Sequence, residues 1–435
     1  MKTIMITAPQ SNEGKTLITL GLIRAFKNRG LDVSAFKAGP DFVDTSYLAL
    51  ASRKRAGNLD MHMMGEEGIE KAISMNKGEY GVVEGAMGYF DGIYNTFENS
   101  SYHISNMLNI NAILVYTPKG EMFSVVPKIK GMVDFPKSKI KGIIFNKVNK
   151  STYVLLKEIV EEHIGIKVLG YIESHEELNL GEGYRGLVQS MENKDAEGII
   201  ERTAEILVKT VDLDGIIKLM KDLKVSDYQY PKKRDIKVAI AYDEAFLFYY
   251  SENLKLLENI CDVEYFSPIK DKEVPKFDLL YIGGGYPELY KEELSQNKTM
   301  INSIRKMAEE GGHIYAESGG FMYLVEDIEG YPMVGILKGK AHMTDRLQRF
   351  GYSNIRLRED TILGKKGERL KANEFHRSAI EIEDRPLFDI KKAKSERGWQ
   401  CGYGYKNVLA AYPHINFLGN MKALNYLLDR IEKER

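Results

Sequence analysis

The chain reads as an α/β protein of two domains, each built on a mostly parallel sheet. Three observations predict this. Short β-rich runs alternate with amphipathic stretches of helical length over the first 210 residues. That alternation is the signature of strands crossing over through helices. The pattern then breaks around 211–234, in "DLDGIIKLMKDLKV" and the polar "SDYQYPKKRD", and a second alternating block follows. Finally, 435 residues exceed what one hydrophobic core accommodates. We place a first α/β domain over 1–210, a helix and linker over 211–234, and a second α/β domain over 235–435.

In the first domain the expected strands are "KTIMIT", "DVSAF", "YGVVE", "NAILVY", "KGIIFN" and "KVLGYI". "GKTLITLGLIRAFKNRG" is the clearest intervening helix. In the second domain they are "IKVAIAY", "VEYFSP", "DLLYIGGG" and "GHIYAES". No repeat or low-complexity tract interrupts either block.

Composition narrows the function. Hydrophobic residues make up 43% and charged residues 28%, with a net charge of -1. These values suit a globular protein and argue against non-specific nucleic-acid binding, which needs a basic surface. Only Cys261 and Cys401 are present, too few for a disulfide framework. No apolar run approaches a membrane span, and the first ten residues carry no signal-peptide core. A cytoplasmic protein that contacts neither membrane nor nucleic acid is expected.

"TAPQSNEGKTLIT" follows the first strand and opens the first helix. Its loop residues Asn12, Glu13, Gly14, Lys15 and Thr16 form a variant phosphate-binding loop, with Pro9 where the first glycine usually stands. Backbone N–H groups in such a loop cradle phosphates, the lysine reaches the terminal ones, and the threonine can bind Mg²⁺. "KAGPDFVDTSY" puts Lys37, Asp41 and Asp44 just past the second strand. "VVEGAMGYFDG" ends a buried strand on Glu84 and places Asp91 in a glycine-rich loop. Ligands of open α/β sheets sit at the carboxyl ends of strands, so these groups should converge near the γ-phosphate. Their hard oxygens suit Mg²⁺. Asp91 before a glycine is also an ordinary turn residue. Asn146 closes "GIIFN" and is a candidate contact for the nucleotide base.

In the second domain, "HIYAESGGFMYL" runs from a strand through Ser318 into a glycine pair and a helix. A side chain presented at such a turn suits acyl chemistry if a base takes its proton.

Taken in order, "APQSNEGKT", "KAGPDFVD", "NLDMHM", "VVEGAMGYFDG", "AYDEAFLFYYSENL", "YIGGGYPEL", "AESGGFMYL", "MTDRLQRFGY", "NEFHRS" and "VLAAYPHINF" resemble the a,c-diamide synthases of tetrapyrrole cofactor biosynthesis. The resemblance covers Met1 to about Phe417. It implies an N-terminal P-loop domain similar to dethiobiotin synthetase that binds ATP and Mg²⁺. It also implies a C-terminal domain similar to class I glutamine amidotransferases, and a homodimer. The implied substrate is a tetrapyrrole polycarboxylate, cobyrinate or nickel-sirohydrochlorin, whose metal belongs to the substrate. ATP would phosphorylate the a and c carboxylates, and ammonia, free or from glutamine, would displace the phosphate. By the same resemblance Thr16, Asp41 and Glu84 would serve the metal, and Asp44 and Asp91 the reacting carboxylate. His414 would be the base for residue 318, and Gly285 and Gly319 would supply the oxyanion hole.

Besides Asn12, which stands where the family usually has glycine in the phosphate loop, the chain departs from the family in three places. Ser318 stands where the family has cysteine, and a hydroxyl ionises far less readily than a thiol. Asn416, two positions after His414, stands where related amidotransferases carry Glu or His to orient the imidazole. Gly183 and Tyr184 replace an Arg-His pair. Three readings of Ser318 stand open: an introduced replacement of cysteine, a natural chain with a silent glutaminase half fed by free ammonia, or a slow serine nucleophile. The rival from another class is a carrier or regulator that binds tetrapyrrole or nucleotide without turnover.

Overall fold

The computed structural model describes residues 1–180, 193 and 195–435. Gly183 and Tyr184 lie outside them. The chain divides into two compact units, Met1–Met61 with Gly65–Tyr228, and His62–Met64 with Gln229–Arg435.

The first unit is built on β1 (Lys2–Thr7), β2 (Val33–Ala38), β3 (Gly57–Leu59), β4 (Tyr80–Glu84), β5 (Asn111–Tyr116), β6 (Ile140–Asn146) and β7 (Lys167–Ile172). Their order is β3-β2-β4-β1-β5-β6-β7, and every neighbouring pair is parallel. β2, β4 and β5 are buried along their whole length, as expected when helices cover both faces of a sheet. The order reverses at β1, and that switch point is where open α/β sheets bind ligands. Helix α1 (Lys15–Asn28) leaves β1 there, and α2 (Val43–Ser52) follows β2.

"DLDGIIKLMKDLKV" is helical only over Leu213–Leu219. The Asp212 side chain caps it by accepting from the Gly215 N–H at 2.8 Å. Beyond Met220 the backbone extends, and β8 (Lys221–Asp222) pairs antiparallel with Lys2 and Thr3. Pairing with the β1 backbone offsets the lost helical turn. The helix and this strand therefore belong to the first unit.

The second unit carries β9 (Lys237–Ala241), β10 (Asp262–Phe266), β11 (Leu279–Ile282), β12 (His313–Glu317), β13 (Val325–Ile328), β14 (Tyr331–Pro332), β15 (Leu337–Met343), β16 (Arg349–Leu357), β17 (Arg369–His376), β18 (Ser378–Ile382), β19 (Phe388–Lys392), β20 (Gly398–Cys401), β21 (Tyr403–Tyr405) and β22 (Val408–Ala411). Among the described residues its main sheet runs β10-β9-β11-β12-β22-β21, parallel up to β22. Two four-stranded sheets, β14-β13-β15-β18 and β17-β16-β19-β20, complete the unit. β12 and β22 are fully buried, so the loops leaving their carboxyl ends are held by the centre of the core.

Candidate active site

The first unit gathers charge at the end of β4. In the sheet, Glu84 is level with Lys37 of β2 on one side and Ile6 of β1 on the other. Lys37 Nζ lies 3.0 Å from Glu84 Oε1 and 2.5 Å from Asp44 Oδ2, and it donates to the Gly85 carbonyl at 3.3 Å. Thr16 Oγ1 donates to Glu84 Oε1 at 2.5 Å. Asp41 Oδ1 accepts the Asp44 N–H at 2.8 Å, which fixes the start of α2. Lys15 is buried beside them.

Burial and the Lys37 ammonium lower the proton affinity of Lys15. Lys37 is held protonated well above its ordinary range: burial opposes the charge, but Asp44, Glu84 and Asp41 outweigh it. Burial, with help from Asp44, pushes the Asp41 carboxyl up to about 6. Burial likewise raises Glu84. Three carboxylates thus face two ammonium groups, leaving one excess negative charge.

Glu84 Oε2 is buried and has no hydrogen-bond partner among the described residues. An orphaned carboxylate oxygen is costly unless a ligand completes it. Together with the Thr16 hydroxyl it fits Mg²⁺, which is bound by one or two protein oxygens plus phosphate oxygens and water. Among the described residues no cluster of three acidic, imidazole or thiol groups could hold a metal alone. The fit is to a metal arriving with phosphates.

The remaining loop residues brace this centre. Gly14 has φ +83°, and a Cβ there would overlap Asn146 Nδ2. Asn146 Nδ2 donates to the Glu13 carbonyl at 2.9 Å. The buried Glu13 carboxylate accepts from Thr117 N and Gln10 Nε2, both at 2.8 Å. Glu13 and Asn146 therefore tie the phosphate loop to the ends of β5 and β6. Asn12 is exposed with φ +64°, a left-handed angle that asparagine tolerates. Asp91 is exposed, and its Oδ2 accepts the Gly88 N–H at 3.0 Å, closing a turn. The adjacent Tyr89 N–H bonds Ala8 O at 2.8 Å, so this turn rests on the phosphate loop.

In the second unit the site is made mostly of backbone. Ser318 follows β12 with φ +51° and ψ -107°, and the helix Gly319–Leu324 starts immediately after it. Such an angle in a non-glycine residue costs about 1–3 kcal/mol and persists only where the surroundings impose it. Here they do. Ser318 N donates to Ala411 O at 2.8 Å and Gly320 N to Gly283 O at 2.9 Å. A Cβ on Gly319 would lie 3.0 Å from Gly285 N and 2.9 Å from Pro287 Cδ. Gly319 and Gly285 thus sit side by side, the arrangement an oxyanion hole needs.

His414, after β22, is buried, and its backbone exchanges both hydrogen bonds with Asn373 at 2.8 and 3.1 Å. The residue facing its imidazole corrects the expectation for Asn416. Asn416 Nδ2 donates to Glu252 Oε2 at 3.4 Å and its Oδ1 accepts the Leu418 N–H at 2.9 Å. Those bonds pin the next turn. Instead Glu317 Oε2 lies 3.4 Å from His414 Nδ1. Three further donors fix this buried carboxylate: Tyr281 OH at 3.0 Å, Tyr315 OH at 2.6 Å and Ile415 N at 3.0 Å. Among the described residues Ser318 Oγ makes no hydrogen bond. Neither cysteine is a substitute nucleophile: both are buried, and burial pushes both thiols up to about 12.

Residues 4–184 match the CobQ/CobB/MinD/ParA nucleotide binding domain family, and residues 237–422 match the CobB/CobQ-like glutamine amidotransferase domain family. The chain is 41% identical to a cobyrinate a,c-diamide synthase of Clostridium acetobutylicum, over 98% of this chain and all of that one. The chain belongs to the cobyrinate a,c-diamide synthase family. A namesake from Clostridium tetani is 40% identical over 99% of this chain and all of its own length. One from the archaeon Sulfurisphaera tokodaii is 36% identical over 95% of this chain and 97% of its own. The family is one of ATP-dependent amidating ligases, and both of its domains are present here. Among the described residues no helix is long and apolar enough to cross a membrane.

Proposed function

We propose that the chain converts the a and c carboxylates of cobyrinate to amides, using ATP with Mg²⁺ and drawing nitrogen chiefly from free ammonia. The observation that carries this is the network of Lys15, Thr16, Lys37, Asp44 and Glu84 at the switch point of the first sheet. A carboxylate is a poor electrophile until its oxygen becomes part of a leaving group. In this reading a substrate carboxylate oxygen attacks the γ-phosphorus, the bond to ADP breaks, and a carboxyl phosphate forms. Ammonia then adds to the carbonyl carbon, phosphate departs with the carboxylate oxygen, and the ammonia nitrogen gives up a proton to leave the amide. Lys15 stabilises charge spread over the transferring phosphoryl oxygens. Lys37 holds the Asp44 and Glu84 side chains in place through its two ion pairs. Bound Mg²⁺ would neutralise phosphate charge and help hold the chain of phosphates in line. Thr16 and Glu84 would bind that metal, with Asp41 and Asp44 next to it. Asp91 would act by holding its turn against the phosphate loop.

The second unit would release ammonia from glutamine slowly. His414 would take the Ser318 proton while Glu317 holds Nδ1–H and stabilises the imidazolium, the role a carboxylate plays in hydrolase triads. Gly285 and Gly319 N–H groups would bind the oxyanion. The weak step is ionisation of the hydroxyl, which a thiol makes far easier.

ATP turnover tests this against a non-catalytic binding role. ADP release should rise by about ten-fold or more when cobyrinate and ammonium are added together. Tight cobyrinate binding with no change in ADP release would overturn the amidoligase reading.

A further inference from the structure

At the serine turn the groups that would hold an oxyanion are locked together, whereas the group that would move a proton is not joined to the nucleophile. Gly285 and Gly319 approach so closely that a Cβ on Gly319 would lie 3.0 Å from Gly285 N. Gly320 N bonds Gly283 O at 2.9 Å and fixes that approach. The His414 imidazole is wedged. Glu317 Oε2 lies 3.4 Å from its Nδ1 on one side. On the other, a Cβ on Gly284 would lie 2.5 Å from its Cε1 and 3.2 Å from its Nε2. Ile415 N donates to Glu317 Oε1 at 3.0 Å, so the backbone beside the ring is held as well. Ser318 Oγ bonds none of the described residues.

That imbalance selects a substrate. A serine adduct of an amide goes forward only if the nitrogen is protonated as it leaves. Without that proton the serine oxygen is expelled and the amide re-forms. An aryl ester has no such requirement. A phenol ionises at about 10, far more readily than an alcohol, so its phenolate leaves unprotonated. A firm oxyanion hole with a poorly connected base therefore favours activated esters over amides. The surroundings narrow the choice further. Ser318 is 8% exposed, which limits the acyl group to a short one. Apolar groups border the turn: Pro287 Cδ and Phe248 Cβ lie 2.9 and 3.2 Å from where Cβ atoms on Gly319 and Gly284 would sit. The Phe248 ring stands edge-on to Tyr286 at 5.0 Å. An aryl leaving group finds aromatic surface there.

We propose that the second unit has a further activity, the hydrolysis of activated oxygen esters of short acyl groups, with Ser318 as the nucleophile. Ser318 Oγ forms a bond to the acyl carbon and its proton passes to His414. The carbonyl oxygen takes the negative charge between Gly285 and Gly319. The bond to the aryl oxygen then breaks, and phenolate departs with the electron pair. His414 returns its proton to solvent. A water molecule, losing a proton to the same imidazole, attacks the acyl-serine and releases the carboxylic acid, and the serine oxygen regains a proton. This inference rests on the reading that Ser318 is a nucleophile, and extends its substrates from an amide to esters.

The test uses full-length protein with 4-nitrophenyl acetate, phenyl acetate and glutamine, compared by kcat/KM, which reports acylation. 4-Nitrophenyl acetate should be cleaved at least about ten-fold faster than by Ser318→Ala, and about a hundred-fold more efficiently than glutamine. Phenyl acetate, with the poorer leaving group, should be slower by about ten-fold or more. A fluorophosphonate should add one phosphonyl group, with loss of fluoride, and abolish ester cleavage. Peptide mass mapping should place that group on Ser318. If Ser318→Ala does not fold, this mapping on the natural chain still decides. Ester cleavage equal to that of Ser318→Ala overturns the proposal. So do equal values for the two esters, a preference for glutamine, or phosphonylation elsewhere. Ammonia release from glutamine without ester cleavage defeats this activity alone, and loss of both with Ser318 unlabelled defeats the nucleophile reading beneath it. Ammonium-driven amidation is measured separately: its absence would defeat the amidoligase reading, whereas its presence beside a failed ester assay defeats only the esterase.

Discussion

The two sites of this chain are built by opposite means. The phosphate site is an assembly of charged side chains, each of which needs the others. Lys37 satisfies Asp44 and Glu84, Glu84 accepts from Thr16, and one Glu84 oxygen waits for a ligand. The serine site depends on backbone: a forced left-handed residue, two glycines in close approach, and a histidine strand paired beside them. The first kind of site fails when any member is removed. The second keeps its shape when its reacting atom is exchanged, because no backbone contact depends on whether residue 318 carries oxygen or sulfur. Exchanging that atom should therefore alter chemistry without altering the fold.

Substitutions can break this contrast, and they differ in expected size. Lys15→Met should reduce amidation by about a thousand-fold or more with ammonium and glutamine alike, because transition-state charge loses its main counter-charge. Initial rates with both donors check it, and loss with only one donor would contradict the division of labour. Ser318→Cys should raise glutamine-driven amidation by about a hundred-fold and leave ammonium-driven amidation unchanged. The ratio of the two rates is the measurement. In that cysteine background, Glu317→Gln should lower glutamine-driven kcat by about ten- to a hundred-fold and leave ammonium-driven kcat unchanged, since the imidazolium loses its carboxylate. An equal drop with both donors would make Glu317 merely structural.

The smallest effect concerns the stability of the phosphate site. The folded-state Asp41 carboxyl titrates near 6, above its ordinary value of 3.8. The folded chain thus holds this proton more tightly than the unfolded chain does. Stability of the ligand-free protein should fall as pH rises from about 4 to about 6, and the penalty is complete above that window. Asp41→Asn keeps an acceptor for the Asp44 N–H and removes the charge. It should stabilise the ligand-free protein by about 1–2 kcal/mol at pH 7.5, with the gain vanishing toward pH 4. Thermal melts at the two pH values check this.

Much of this arrangement was legible in the sequence because it follows chain order. Lys15 and Thr16 follow β1, Lys37 lies near the end of β2 and Glu84 closes β4, so a parallel sheet brings all of them to one edge. Ser318 before two glycines likewise marks a strand-to-helix turn. Glu317 was hidden for a geometric reason. Neighbouring residues on a strand point to opposite faces, so a carboxylate adjacent to the nucleophile is not expected to serve the same site. The left-handed turn at Ser318 removes that restriction, and Glu317 meets a histidine 97 residues away. The acidic position two after His414 was the wrong place to look, because Asn416 is spent on Glu252 and Leu418. The strand at Lys221–Asp222 was missed because it is two residues long and continues an apparent helical period.

The most direct test is mass-resolved amidation of cobyrinate with ATP and Mg²⁺, in parallel tubes with ¹⁵N-ammonium or glutamine labelled with ¹⁵N in its side-chain amide. Labelled diamide should form with both donors, and about a hundred-fold faster from ammonium. Equal rates from glutamine would contradict the claim that Ser318 limits nitrogen supply, and no labelled product from either donor would contradict the amidoligase itself.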